Sequence, residues 1–388
     1  MEVRKMDKVL FLTTIGGFLQ QFEMNDVGIL QEMGYEIHYA SNLHNPVYNM
    51  DISAMEERGI RVHHIDIQKK PSHIWKNGKA LIQLLQLVKC EQIRVIHCHN
   101  PMGGVLGRLI SMFKGCKIYT IYTAHGFHFY KGAPKRNWIV FYPVEKCLAK
   151  FTDCLITINK EDYEKALRFS LRKGGHVFRI PGVGIHTKRF AAQEGMREQT
   201  RKKFGIPDDV FYLLSVGELN QNKNHIVILR AMAKIPDKKI WLGICGKGHM
   251  EEELEAEAKR LGIKDRFTLF GFRNDIPQML SMADCFVFPS LREGLGIAAI
   301  EAMAAGVPLI TSDCRGTREY ARDQINGLVC VDDRPEAYAE AIIQLRDDAE
   351  KRHRMSEACV NMSSYFDISA TDSIMRQVYK TIPPNDRT

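Results

Sequence analysis

Strand-like and helix-like segments alternate along this chain from end to end, and the alternation begins twice. Short runs rich in branched and aromatic residues, such as Lys8–Thr14 and Tyr35–Ser41, are separated by longer amphipathic stretches such as 73–89 and 102–113. Strands this apolar have no polar face to turn to water, so they belong in parallel sheets covered by helices on both sides. The first series continues through Arg61–Asp66, Arg94–His99, Lys117–Ala124, Cys154–Asn159 and a short His176–Pro181. Its other helices are expected from Gly16-Gly17 to Met33 and over 137–150 and 160–169. The second series restarts at Val210–Gly217 and runs through Lys239–Gly246, Arg266–Phe272, Asp284–Ser290, Pro308–Ser312 and Gly327–Val331. Helices are expected there over 224–234 and 249–261. Each series opens with strand, glycine, helix. The expected architecture is α/β: two facing, doubly wound Rossmann-like domains with an interdomain cleft, one over 1–185 and one over 186–367. The join is expected between Gly182 and Asp209, where charged and glycine-bearing sequence interrupts the pattern. A periodic apolar stretch, Ile368–Ile382, is long enough for a helix crossing back, so 368–388 are expected to complete the first domain.

The 388 residues suffice for two domains of ordinary size, and 45% apolar with 26% charged residues is the balance of a globular protein with an ample core. No apolar stretch approaches the roughly 18 residues of a membrane span. The apolar run Val9–Leu19 is broken by Thr13, Thr14, Gly16 and Gly17 and lacks a small-residue cleavage site, so it reads as a strand and not a secretion signal. The ten cysteines (90, 98, 116, 147, 154, 245, 285, 314, 330 and 359) contain no Cys-x-x-Cys spacing and read as buried, reduced thiols of a cytoplasmic protein. Net charge is +8, but residues 1–200 carry 28 Lys and Arg against 18 Asp and Glu, and the remainder 26 against 28. A basic first half beside a nearly neutral second half suits an anionic membrane surface or a phosphorylated acceptor. Nucleic acid is not expected, because no zinc finger, RNP sequence or basic–aromatic ladder occurs.

In open α/β sheets, ligands bind outside the carboxyl ends of the strands. Those ends carry the polar and glycine residues here: Gly16 and Gly17, then His97, His99 and Asn100, then His125. In the second half they carry Gly217-Glu218-Leu219-Asn220 with Lys223, then Gly246-Lys247-Gly248, then Arg273, then Glu293-Gly294-Leu295-Gly296. Glu293 and Glu301 stand eight apart, so a helix starting near Gly296 would leave Glu293 in the loop and put Glu301 on the second turn. Backbone N–H groups at such a helix start suit a phosphate or a developing anion. His97, His99 and His125 could ligate a metal, but the two strand histidines have no matched second pair, and no metal is expected. No Asp-x-Asp occurs to hold a divalent ion on a nucleotide-sugar diphosphate. Gly246-x-Gly248 lacks the third glycine of a dinucleotide fingerprint, and neither a Gly-Lys-Ser/Thr nor a Gly-x-Ser-x-Gly occurs.

Taken together, Ser215–Asn224, Cys245–Gly248, Phe270–Arg273 and the segment Glu293–Pro308 with its Glu-x7-Glu resemble glycosyltransferase family 4, retaining enzymes of the GT-B fold. Thr123–Tyr130 resembles the variant found in bacterial capsule and exopolysaccharide transferases. The resemblance implies that Glu301 accepts hydrogen bonds from both ribose hydroxyls of the donor and that Glu293 contacts the donor sugar. It implies that the N–H groups of Gly294, Leu295 and Gly296 hold sugar and distal phosphate, with Gly217, Asn220 and Gly246 lining the same donor site. Lys223 would neutralise the diphosphate, and the backbone at Arg273 would face the base. Gly17 would approach the β-phosphate, and His125 would line the reaction centre, with His97, His99, Asn100 and Glu218 on the acceptor side. Many members have Val-Gly-Arg-Leu where this chain has Val216-Gly-Glu218-Leu219; a carboxylate cannot bind the diphosphate, so Glu218 is left to an acceptor hydroxyl or to orienting Lys223.

The implied activity is retaining, metal-independent transfer of a hexosyl or N-acetylhexosaminyl group from a nucleotide sugar, with UDP the expected nucleotide. The acceptor would be a glycan or polyprenyl diphosphate-linked sugar in cell-surface polysaccharide synthesis. No cofactor is implied. The protein would be cytoplasmic and peripheral at the inner face of the membrane. Two alternatives stay open: a UDP-sugar 2-epimerase-like enzyme of the same architecture, and a nonenzymatic nucleotide-sugar-binding subunit.

Overall fold

The computed structural model describes residues 6–44, 46–113, 117–191 and 193–384. They form two compact units, one of residues 1–183 with 369–388 and one of residues 184–368.

The first unit is a seven-stranded sheet of β1 (Lys8–Leu12), β2 (Glu36–Ser41), β3 (Ile60–His64), β4 (Val95–His99), β5 (Tyr119–Ala124), β6 (Cys154–Thr157) and β7 (His176–Arg179). The order is β3-β2-β1-β4-β5-β6-β7, and every pairing is parallel. The winding reverses between β1 and β4, where Phe11 lies opposite Tyr39 on one side and His97 on the other. Leu10, Leu12, Ile96, Cys98 and Tyr122 join Leu84, Val88, Leu106 and Phe129 in its core. The helix Lys135–Ala149 is tied in by a buried ion pair, Arg108 Nη1 to Glu145 Oε2 at 2.7 Å, with the Arg108 guanidinium 4.1 Å from the Tyr122 ring centroid. Removing either partner of such a pair costs about 3–5 kcal/mol, because the other charge stays buried.

The second unit is a six-stranded parallel sheet of β8 (Phe211–Val216), β9 (Ile240–Cys245), β10 (Phe267–Leu269), β11 (Cys285–Phe288), β12 (Leu309–Ser312) and β13 (Gly327–Cys330). Its order, β10-β9-β8-β11-β12-β13, reverses between β8 and β11. Leu213, Leu242, Ile244, Val287 and Ile310 are fully or almost fully buried, with Ile228, Leu229, Met232 and Ile342 packed on them.

The expected strands all form, because runs buried on both faces announce themselves by continuous apolarity. The helix expected from Gly16 to Met33 is broken: Phe18–Phe22 ends and Met24–Glu32 begins at Glu23, whose φ of −122° and ψ of 11° leave the helical region. Helices Ile52–Glu57, Thr187–Phe190 and Met196–Phe204 lie where none was expected. The last of these has a polar sequence, MREQTRKKF, held by Arg201, whose buried guanidinium donates to Met282 O at 3.0 Å and to Asp284 Oδ2 at 2.7 Å. The helix Ile368–Lys380 packs with the first unit from Ser369 onward. The nine described cysteines are all free thiols; Cys90 and Cys147 are exposed, against the expectation that all are buried, while Cys116 lies outside the described residues. No helix among the described residues is long and apolar enough to cross a membrane.

Candidate active site

Both reversals of winding gather polar residues at the carboxyl ends of the central strands. In the second unit the loop after β8 is stitched to the loop after β11. Leu291 N donates to Asn222 O at 2.8 Å, and the Asn222 side chain donates to Arg292 O at 2.9 Å. Asn220 Oδ1 accepts from Lys223 N at 3.0 Å and shapes the turn that carries Lys223. The Lys223 ammonium then meets Glu293 Oε1 at 2.6 Å and lies 4.8 Å from the Phe288 ring centroid. Both side chains are largely shielded, at 20% and 13% exposure, so this pair attracts more strongly than one fully in water. Lys223's partner is thus Glu293 and not Glu218, which is exposed.

Gly296 is the N-cap of the helix Ile297–Ala304, at φ 97°. A Cβ there would come within 2.8 Å of both the Phe288 ring and the Tyr320 hydroxyl, so glycine is the side chain that fits. Leu295 is buried, and Gly294 and Gly296 are half-buried. Glu301, on the second turn as expected, is half-buried; its burial pushes the carboxyl up to about 7 against the pull of Arg189. Arg189 also lines a cavity of about 470 Å³ with Gln193, Met196, Asn274, Asp275 and Gln278, of the size that takes a small ligand. Gly217 N and Gly246 N extend the sheet edge, donating to Cys245 O and Gly271 O. The Arg273 guanidinium is held by Asp275 at 2.8 Å and stands 5.2 Å from the Phe204 ring centroid.

In the first unit Gly17 (φ 82°) caps the helix Phe18–Phe22, and a Cβ there would meet Tyr48 O at 2.7 Å. Asn100 Oδ1 accepts from Thr14 N at 3.2 Å, joining the ends of β1 and β4. His97 and His99, expected to face an acceptor, are wholly buried. Both ring nitrogens of His97 are used inside the domain: Nε2 lies 2.8 Å from Thr123 Oγ1 and Nδ1 3.1 Å from the Tyr379 hydroxyl. That hydroxyl donates to Asp26 Oδ2 at 2.9 Å, which leaves His97 Nδ1 as the donor to it. Asp26 in turn hydrogen-bonds Glu23. His99 Nδ1 lies 3.2 Å from His125 Nε2, and Glu23 Oε1 is 3.4 and 3.8 Å from those two nitrogens.

Burial pushes Glu23 well above the usual carboxylate range and Asp26 up to about 7, and it lowers His97 to about 3, His125 to about 4 and His99 further below the imidazole range. Glu23 and the three imidazoles are thus neutral, as expected where charge would be stranded from water, and Asp26 is the member that titrates near neutrality. Among the described residues, the cluster whose ligand atoms lie close enough to hold a metal is Glu23, His99 and His125, with His97 outside it. Glu23, Asp26, Tyr379 and Arg189 were not singled out from sequence. A carboxylate inside the apolar stretch Phe18–Leu30 is the signal that could have found Glu23.

Residues 8–159 match the family described as Glycosyl transferase 4-like, and residues 196–361 match Glycosyl transferases group 1. Over 378 residues, 96% of each chain, the sequence is 35% identical to a protein of Bacillus subtilis (strain 168) bearing the name glycosyltransferase EpsD. It is 29% identical over 291 residues, 74% of each chain, to the Escherichia coli UDP-Gal:alpha-D-GlcNAc-diphosphoundecaprenol alpha-1,3-galactosyltransferase. Anabaena HepE, solved in complex with UDP, has the same fold: TM-score 0.78 over 97% of this chain and all of its own, at 18% identity. Likeness along nearly the whole length, carried by both halves, makes this chain a glycosyltransferase of the GT4-like family, with the two Rossmann-like domains of the GT-B fold.

Proposed function

We propose that the protein is a retaining, metal-independent transferase that moves a sugar from a UDP-sugar to a glycan or polyprenyl diphosphate-linked acceptor in cell-surface polysaccharide synthesis. Residues 184–368 would take the donor, and residues 1–183 with the last helix the acceptor, at the inner face of the membrane. The observation that carries this reading is the 2.6 Å pair of Lys223 and Glu293 at the winding reversal of the second sheet. A lone lysine held by a carboxylate is poised for exchange. An arriving diphosphate outcompetes Glu293 for the ammonium, and the freed carboxylate accepts hydrogen bonds from the sugar hydroxyls. HepE's capture with UDP and the lipid-linked substrate in the E. coli relative's name support the donor and acceptor classes.

The chemistry asked of the site is modest. A nucleoside diphosphate is a good leaving group, so charge stabilisation by Lys223 and the N–H groups of Gly294–Gly296 does most of the work. A departing phosphate oxygen takes the acceptor proton, and the sugar leaves and is captured on the same face. In the first unit His125, with part of its side chain exposed, is held at the end of β5 by the 3.2 Å contact of its Nε2 with His99 Nδ1.

The reading is tested by UDP release from a UDP-sugar in EDTA, with and without a polyprenyl diphosphate-linked acceptor. Acceptor-dependent, EDTA-insensitive release with the anomeric configuration kept is the expected result. Loss of activity in EDTA, reversed by Zn²⁺, would overturn metal independence and point to Glu23, His99 and His125. Epimerisation without acceptor, or binding without turnover, would replace the transferase reading altogether.

Glu301 adds a pH dependence. Its raised carboxyl is charged above about 7 and neutral below, and the charged form is the better acceptor for ribose hydroxyls. UDP binding should therefore weaken as pH falls, by about tenfold from pH 8 to pH 6. In Glu301→Gln the profile over this range should be flat; a slope unchanged by that substitution assigns the titration to another group.

A further inference from the structure

The helix Lys135–Ala149 is amphipathic with its apolar stripe on the outside. Inward it turns Glu145, Leu148 and Ala149, with Phe141 and Tyr142 against the first unit's core. Outward it leaves Ile139 73%, Val140 53% and Val144 42% exposed, beside exposed Pro143 and Cys147. Positions 136, 139, 140, 143, 147 and 150 recur every three or four residues, so they share one face of the helix and its end. Trp138, 38% exposed at the border, is fixed by Phe129 and Tyr142, with ring centroids 5.6 and 5.9 Å away.

The charge carried by this helix and the residues flanking it in sequence is basic. Lys131, Lys135, Arg136, Lys146 and Lys150 are all exposed, and the only acid between 131 and 150, Glu145, is buried against Arg108. A partner protein's apolar groove would ask for the stripe alone. An apolar centre bordered by tryptophan and an excess of exposed cations, with the part-exposed Glu161 tied to Lys165, matches the headgroup layer of an anionic bilayer, which takes up both kinds of group. Residues 125–134 join this helix to β5, so His125 opens the connection that leads into it.

We infer that the helix Lys135–Ala149 is the membrane-docking surface, lying in the interfacial layer of an anionic bilayer. Ile139, Val140, Pro143 and Val144 enter the acyl boundary, while Lys135, Arg136, Lys146 and Lys150 meet lipid phosphates. The inference rests on the membrane-side reading of the acceptor and names the surface that would serve it. A lipid-linked substrate in the same leaflet would then meet the protein at the helix to which His125 leads.

Flotation of the full chain with phosphatidylcholine vesicles, with and without phosphatidylglycerol, tests this. The wild type should float with the anionic vesicles alone and detach in high salt. Ile139→Asp with Val140→Asp should abolish flotation, and Lys146→Gln and Lys150→Gln should weaken it roughly fivefold each. Val331→Asp, at an exposed apolar site of the second unit, should float as the wild type does. UDP-induced thermal shift, unchanged in every variant, reports that the fold is intact. A wild type that ignores anionic vesicles defeats the membrane reading itself. If the aspartate variant floats normally, docking lies elsewhere and this inference fails. Loss of a dimer in that variant, with flotation unaffected, would assign the stripe to a second copy of the chain.

Discussion

Replacing Glu293 by alanine is expected to lower turnover about 10²–10³-fold while UDP binds as well as before or better. The prediction rests on the ion pair in the ligand-free protein. Glu293 occupies the Lys223 ammonium at 2.6 Å, so its removal deletes a competitor of the diphosphate and the acceptor of the sugar hydroxyls at once. Calorimetric titration with UDP and initial rates at saturating donor separate the two effects. Equal losses in UDP affinity and in rate would show Glu293 to be a nucleotide ligand, and an unaltered rate would remove it from the mechanism.

Lys223→Met is the complementary experiment, and its effects should fall on the diphosphate. A hydrogen bond to a charged group contributes about 1.5–3 kcal/mol, so UDP affinity should drop roughly 10- to 100-fold. UMP, which lacks the distal phosphate, should lose far less. Turnover should fall as well, since the leaving group's charge would develop without its cation. The variant also leaves Glu293 facing an arriving anion. Adding Glu293→Gln to Lys223→Met should therefore restore part of the UDP affinity, a coupling that two independent residues would not show. UDP and UMP weakened equally by Lys223→Met would place the lysine on the nucleoside side.

Much of this site was legible beforehand because it is punctuated by glycine and charge at strand ends. Both strand series, Glu301 on the second helical turn and Gly296 at the helix start follow from local pattern alone. The partner of Lys223 was not legible: seventy residues separate it from Glu293, and only the adjacency of β8 and β11 brings their loops together. Glu23 was hidden for a different reason. Helical periodicity runs straight across it, and the neighbours its carboxyl lies near, His99 and His125, stand more than seventy residues away in the chain. Arg201 shows the same limit. A basic, polar nonapeptide gave no apolar stripe to read, and its helix is held by two guanidiniums, Arg197 and Arg201, bonded to the segment Met282–Asp284.

Tyr379 has a consequence in time. It contacts His97 and donates to Asp26, so the buried polar network of the first domain is closed by a residue that the ribosome adds only after the whole of the second unit. Residues 184–368 are contiguous and can complete their sheet as they emerge, whereas residues 1–183 must wait for the chain that follows. The domain made first is thus finished last, and any chain stopped before Tyr379 leaves Asp26 and His97 without the hydroxyl between them.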